Sequence, residues 1–261
     1  GAHRKQIPVY GYGMMLRPEP LEDLTVRFKE EARAIKDMGF VATKMKVGLG
    51  PRADIKLAEA VRRGIGDDFR FMVDANHCYT TSDAFEVGRA LEDLDAYWFE
   101  EPIAPEDLQG YRELRAGLNV NISGGEAEFN RWGWRSLLES RGLDIAQPEV
   151  CALGGISEYL RVLALCHAHF TPVVNHVWGS AVAVATNMHL LASMPDLPGG
   201  MNPWEPMLEF DTTDNKFRDE LLETPLEIQA QVAQTNGYIA LPEGPGLGIT
   251  PDRDFLQYFA L

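Results

Sequence analysis

The chain is predicted to fold as a parallel α/β domain of the closed (β/α) barrel type. Apolar, strand-like runs alternate with amphipathic helical patterns along almost its whole length. Eight of the former and seven of the latter can be counted, repeating at about 25–30 residues per unit. The 261 residues are close to the roughly 250 usual for one such barrel. An open doubly wound sheet alternates in the same way, but the number of units and the length favour the barrel. No sequence motif is shared between units, so the repeat is architectural.

Each element has a local reason. IPVYGYGMM, from Ile7, reads as the first strand. In the helix that follows, Leu24, Phe28, Ala32 and Ile35 keep the three-to-four spacing of a buried stripe, and Gly39 suits its C-terminal cap. FVATKMKVG is the second strand. PRADIKLAEAVRRGIG is a helix with Pro51 at its start and Gly64 or Gly66 near its end. FRFMVDAN precedes a helix with Ser82 as N-cap. AYWFEEP precedes PEDLQGYRELRAG, and VNISGGE precedes RWGWRSLLESRG. LDIAQPEV is the sixth strand, followed by a helix with Ser157 close to its start. TPVVNHVWG is the seventh strand, SAVAVATNMHLLASM a buried helix, and PMLEFD the eighth strand. Beyond Asp211 the chain turns Pro/Gly-rich (LPEGPGLGI). Residues 1–211 are therefore expected to form the barrel, and residues 212–261 an irregular segment packed on it.

Composition narrows the function. A net charge of −15 argues against nucleic acid, whose phosphates require a basic face. Three scattered cysteines, Cys78, Cys151 and Cys166, describe neither a disulfide framework nor a zinc site, and suggest a reducing cytoplasm. No apolar run of about 18 residues implies a membrane span. The N-terminus lacks the apolar core of a signal peptide.

In a barrel of this kind the site forms where the strands end. Asp74, Glu100 and Glu126 each close an apolar run, at intervals of 26 and 26 residues. Lys44 and Lys46 end the second strand and, two residues apart, share one side. Glu149, His176 and Glu209 end the sixth, seventh and eighth. A single acid at a strand end is ordinarily a solvated loop residue or a helix cap. Three on adjacent strands repel one another unless a cation neutralises them. An all-oxygen set without cysteine or histidine favours Mg2+ first and Mn2+ second, with coordination positions left for substrate and water. A lysine beside another cation can lose its proton near neutrality, and His176, with Glu149 to orient its ring, could serve the opposite face. Glu209 could hold or protonate a substrate oxygen.

TKMKVG, VDAN, WFEEP, GGE, QPE and VNHVWG, in this order, resemble the enolase superfamily, mandelate racemase subgroup, over nearly the whole chain. The resemblance implies a modified TIM barrel of the (β/α)7β type. On this resemblance the chain is expected to start at barrel strand 1 and to lack the usual N-terminal α+β capping domain, on which residues 212–261 would normally also pack. It further implies Mg2+ on Asp74, Glu100 and Glu126, Lys46 as base, Lys44 depressing the pKa of Lys46, His176 paired to Glu149 on the other face, and Glu209 bonded to an enediolate. One departure is Glu149 where the family carries aspartate; the extra methylene could move the carboxylate off the ring nitrogen. HVWGS, NPWEPMLEFDTTDNKFRDELL and LPEGPGLGI look like the sugar-acid branch, near galactarolactone and anhydro-galactonate cycloisomerases and acid-sugar dehydratases. The implied activity is proton abstraction beside the carboxylate of a sugar acid or lactone, then β-elimination, with ring opening favoured over loss of water. Racemisation or epimerisation, and an inactive barrel fragment, are the alternatives. Asn76, His77, Asn175 and Trp178 are candidate pocket walls. The partner is a small sugar acid, and the full-length family member is expected to be a homo-oligomer.

Overall fold

The computed structural model describes residues 1–196 and 203–259. Asn202, the first residue of the NPWEPMLEFD run, lies outside them. The alternation expected from the sequence is present. Strand β1 (Gln6–Tyr12) leads to α1 (Leu21–Asp37), β2 (Ala42–Lys46) to α2 (Pro51–Ile65), β3 (Arg70–Asp74) to α3 (Thr81–Asp93), and β4 (Trp98–Glu100) to α4 (Leu108–Gly117). Strand β5 (Asn121–Gly124) leads to α5 (Asn130–Ser140), and β6 (Ile145–Ala146) to a four-residue α6 (Val150–Leu153) and then α7 (Ile156–Ala168). Helix α8 (Ala181–Ser193) and strand β7 (Leu208–Asp211) follow. The sheet order is β6-β5-β4-β3-β2-β1-β7, every neighbouring pair parallel.

The expected seventh strand is reduced to a bridge. Val173 pairs with Ala146, through Ala146 N to Pro172 O at 2.8 Å and Val174 N to Ala146 O at 3.0 Å. Among the described residues no backbone pair joins this segment to β7. Side chains span the seam instead: Trp204 Nε1 donates to Val173 O at 3.3 Å, and Val177 N donates to Glu209 Oε2 at 2.8 Å.

Period-two alternation sorts the strand residues into two layers. One set faces the helices. Val9, Met45, Phe71, Val73, Phe99 and Ile122 join Leu24, Phe28, Leu57, Val61, Val87 and Leu114 in the main core. The other set faces inward and is apolar only in its lower tier, where Tyr10, Ala42, Met72, Trp98, Ile145, Val174 and Met207 form a separate buried cluster. One step further along the same strands come Lys44, Asp74, Glu100 and Glu209, all buried. An apolar floor thus carries an ionic tier.

Local details depart from expectation in physically readable ways. Thr80, not Ser82, caps α3, its hydroxyl accepting Asp83 N at 3.2 Å. Gly66, at φ +76°, ends α2, while Gly64 lies within that helix so close to α1 that an added Cβ would meet Lys29 O at 2.6 Å. The tail is less irregular than its composition suggests. The run from 241 to 250 carries neither helix nor strand, but α9 (Lys216–Asp219), α10 (Ile228–Thr235), β8 (Tyr238–Ala240) and α11 (Arg253–Tyr258) surround it. Strand β8 pairs antiparallel with β1, Ile7 opposite Ile239, and Ile228, Val232 and Ile239 join the main core. Strand β8 has only three residues and directly precedes the Pro/Gly-rich run, so it carries no strand pattern of its own.

Arg62 on α2 is mostly buried and binds the loops below β3 and β4. Its guanidinium donates to Leu94 O (2.9 Å), Gly66 O (2.8 Å), Phe69 O (2.7 Å) and Asp95 O (2.9 Å). Replacing it strands several carbonyls at once. Arg62→Ala is expected to cost on the order of 3 kcal/mol in urea denaturation; a midpoint equal to wild type would show these bonds to be dispensable.

Candidate active site

Register brings the ionisable groups together. Lys46 on β2 stands opposite Asp74 on β3, and Asp74 opposite Glu100 on β4. Glu126 lies two residues past β5, after Gly125, which at φ +118° packs so tightly on Trp134 that a Cβ would sit 2.4 Å from its ring. The 26-residue interval is therefore one strand-helix unit, and each unit delivers one carboxylate to the same rim. One oxygen from each of Asp74, Glu100 and Glu126 lies within 4.8 Å of the others.

Two lysines neutralise this rim from below and beside. Lys44 Nζ, fully buried, is 2.5 Å from Glu100 Oε1, 2.5 Å from Glu209 Oε1 and 3.4 Å from Asp74 Oδ2. Lys46 Nζ bonds Asp74 Oδ2, and Asn76 Oδ1 at 2.9 Å. The ring of Tyr12 faces both ammonium groups, at 5.3 Å from Lys44 Nζ and 5.7 Å from Lys46 Nζ. Glu100 is further held through Oε2 by Trp98 Nε1 (2.9 Å) and Gln147 Nε2 (2.7 Å).

Histidine and glutamate complete the other side. His176 Nδ1 is 2.8 Å from Glu149 Oε2, and Nε2 is 3.2 Å from Glu126 Oε2. The longer side chain of Glu149 reaches the ring because its other oxygen is anchored: Oε1 accepts Cys151 N at 2.8 Å, making Glu149 the N-cap of α6. The methylene that separates it from aspartate does not break the pair.

The charges follow from these contacts. Burial opposes the ammonium of Lys44, but Glu100 and Glu209 outweigh it and hold the group well above the usual lysine range. Lys44 is thus held as a cation by these carboxylates. Burial would raise Asp74, yet Lys44 and Lys46 hold its carboxyl well below the carboxylate range. Burial, and then the field of Asp74, push Glu100 up. Burial also raises Glu126, with His176 opposing. Glu209 is lowered because Lys44 and His176 prevail over burial. For His176 burial works against charge, but the Glu149 bond and the fields of Glu209 and Glu126 prevail and push the imidazole up to about 9.

A cleft of about 410 Å³ opens over this tier, lined by Tyr12, Met15, Leu16, Lys46, Val47, Asn76, Glu126, His176 and Trp178. Lys46 and His176 thus border one space. Of the four candidate wall residues, Asn76 and Trp178 line it. Asn175 does not: its side chain is fully buried and bonded to Tyr159 and Asn187, as alternation against His176 requires. His77 faces Glu101, its Nε2 2.5 Å from Glu101 Oε2, though off-line for a hydrogen bond. Glu209, read from sequence as a substrate contact, has one oxygen on Lys44 and the other on Val177 N. Sequence reasoning passed over Glu101, Gln147 and Tyr12. Glu101 is fully buried beside the triad at φ +40°, and the doubled acid in WFEEP was its signal.

The donor set fits a hard divalent ion. Three carboxylate oxygens from three adjacent strands converge, two of the residues are buried, and the field of Asp74 already raises Glu100. Asp74, Glu100 and Glu126 are the residues that would hold it.

Fold and site together define a parallel α/β scaffold that presents a carboxylate triad between a lysine and a histidine. Residues 27–255 match the family model described as Enolase C-terminal domain-like, and the chain belongs to that family, within the enolase superfamily. It is 38% identical over 264 residues to the D-galactarolactone cycloisomerase of Agrobacterium fabrum, covering 100% of this chain and 67% of that protein. The crystal structure of the 3,6-anhydro-D-galactonate cycloisomerase from Zobellia galactanivorans superposes with a TM-score of 0.86 at 37% identity, covering 99% of this chain and 67% of that one. A mutant L-talarate/galactarate dehydratase, liganded with Mg and L-glucarate, superposes with a TM-score of 0.82 at 27% identity, covering 100% of this chain and 60% of that one. The chain thus spans three fifths to two thirds of these relatives. No helix among the described residues is long and apolar enough to cross a membrane.

Calorimetric titration tests the triad. Mg2+ or Mn2+ is expected to bind the wild-type chain, and Asp74→Asn or Glu126→Gln to weaken binding at least about 10-fold. Equal affinity in all three proteins would place the ion elsewhere.

Proposed function

We propose that the chain removes the proton α to the carboxylate of a sugar acid, or of its lactone or anhydro form, and drives β-elimination through an enediolate, with ring opening the favoured outcome. The observation that carries this reading is the placement of Lys46 and His176 on one cleft, each touching a different member of the oxygen triad. Mg2+ held by Asp74, Glu100 and Glu126 would supply the positive charge that makes such a proton acidic enough to remove.

The chain's own residues divide the remaining work. Lys46 Nζ, steered by Asp74 and Asn76, takes the α-proton on one face. Lys44 stays charged beneath and balances Glu100 and Glu209. His176, oriented through Nδ1 by Glu149, presents Nε2 toward the triad and hands a proton to the departing β-oxygen. Glu209 braces Lys44 and the backbone at Val177. The described residues up to 211 form a (β/α)7β barrel whose open seam between Val173 and β7 is bridged by side chains, and residues 212–259 pack on it. The similarity to two cycloisomerases supports ring opening. Similarity to an L-talarate/galactarate dehydratase supports the second reading, in which the leaving oxygen is a hydroxyl and water departs.

Exchange in deuterated water separates these possibilities. With Mg2+ present, at least one aldonate, aldarate or lactone is expected to gain deuterium at the α-carbon. Lys46→Ala should lower that exchange by about 10²–10⁴-fold, while His176→Ala keeps exchange and loses product. A ring-opened product from a lactone or anhydro acid supports cycloisomerisation, and a keto-deoxy acid supports dehydration. Substrate returned with inverted configuration would mean epimerisation. No exchange with any compound at full metal occupancy would leave an inert barrel.

A further inference from the structure

We propose that a buried chain of three side chains, Tyr159, Asn175 and Asn187, is the device that aims His176 at the cleft. The inference rests on the reading of His176 as a proton carrier and concerns how its ring is held. Tyr159 on α7 donates its hydroxyl to Asn175 Oδ1 at 2.5 Å. Asn175 Nδ2 donates to Asn187 Oδ1 on α8 at 2.7 Å, and Asn187 Nδ2 donates to Ala183 O at 3.0 Å. All three side chains are inaccessible to solvent.

The need for such a device comes from the seam in the sheet. A residue in a parallel ladder has its direction fixed by backbone bonds on both sides. Among the described residues the segment before His176 has that support only around Val173, where it bridges Ala146. Past Val174 the next backbone N–H with a partner among the described residues is that of Val177, which donates to the side chain of Glu209. Residues 175 and 176 are therefore placed by side chains. Successive side chains point to opposite faces, so fixing the Asn175 amide outward fixes the His176 ring inward. The ring then meets Glu149 at 2.8 Å and Glu126 at 3.2 Å.

The chemistry of the chain fits a directional role better than a packing role. Asparagine offers a carbonyl oxygen and an amide nitrogen with two N–H donors on a short arm, and at Asn175 each of these two atoms has a partner. An apolar side chain would fill the same space between α7 and α8 without any polar group to satisfy. A buried network in which every polar side-chain atom has a partner instead fixes one geometry, because each bond is strong at low dielectric and costly to leave unmade. Tyr159, Asn175 and Asn187 are positioning residues that act through His176.

The test uses the full chain with Mg2+ present and reads the histidine ring nitrogens by ¹⁵N NMR, His176 being assigned with His176→Gln. Tyr159→Phe removes one donor at nearly constant volume, and Asn187→Leu removes the far end. In wild type the Nδ1–H of His176 bonded to Glu149 should give one distinct resonance. In Tyr159→Phe it should shift or broaden, with kcat falling about 10-fold or more and KM changing less than about 2-fold. Unchanged ring-nitrogen signals and unchanged kcat in Tyr159→Phe would overturn the inference and leave the chain as packing between two helices. Should Asn187→Leu fail to fold, Tyr159→Phe alone decides. If wild type turns over no sugar acid or lactone, the proposed reaction falls, while the ring-nitrogen signals still settle the positioning role.

Discussion

Everything at the rim depends on one buried ammonium group. Lys44 Nζ has no access to water and lies within 3.4 Å of oxygens from Glu100, Glu209 and Asp74. Burying any of these charges alone would cost several kcal/mol. Together they form an ionic knot whose members come from β2, β3, β4 and β7, so it spans the sheet from one side of β1 to the other. The apolar floor of Met72, Trp98, Ile145 and Val174 beneath it excludes water and strengthens each attraction.

That arrangement explains why two lysines two residues apart do different things. Both project from the inner face of β2. Lys44, one pleat deeper, meets carboxylates on three neighbouring strands and is locked as a cation. Lys46, one pleat higher, borders the cleft with Asn76 beside it. Depth along a single strand thus separates a structural charge from a group free to meet a ligand. A similar division holds across the site, where His176 borders the cleft and Asn175, its neighbour in sequence, is buried behind it.

Much of this was legible in the chain. The triad could be read because each acid terminates a hydrophobic run and the runs recur at one strand-helix interval. The pairing of His176 with Glu149 could be read from strand order. What could not be read was set by contacts that sequence spacing does not encode. The seventh strand looked like its fellows, yet its ladder stops at Val173, since only coordinates show which neighbour is in reach. Asn175 was a candidate pocket wall, but its partners lie 16 residues upstream and 12 residues downstream on helices packed behind it. Glu209 was placed on the right rim, but its contact with Lys44, more than 160 residues away, is invisible to any local pattern. The Pro/Gly composition of the tail hid β8, whose three residues gain a partner only from β1.

The antiparallel pairing of β8 with β1 has a kinetic corollary. Strand β1 is the hinge of the sheet order, carrying β2 on one side and β7 on the other, with Ile7 also facing Ile239. Partners this far apart in sequence close last, because the entropy of bringing distant segments together is paid before any contact returns it. During synthesis the early strand-helix units, β1 with β2 among them, can condense on one another, but β1 gains β7 and β8 only from residues made much later. Ile7, opposite Ile239, gains that cover only when β8 arrives. The interval between emergence of β2 and arrival of β8 is accordingly the time when the nascent chain is most exposed to self-association and most dependent on chaperones.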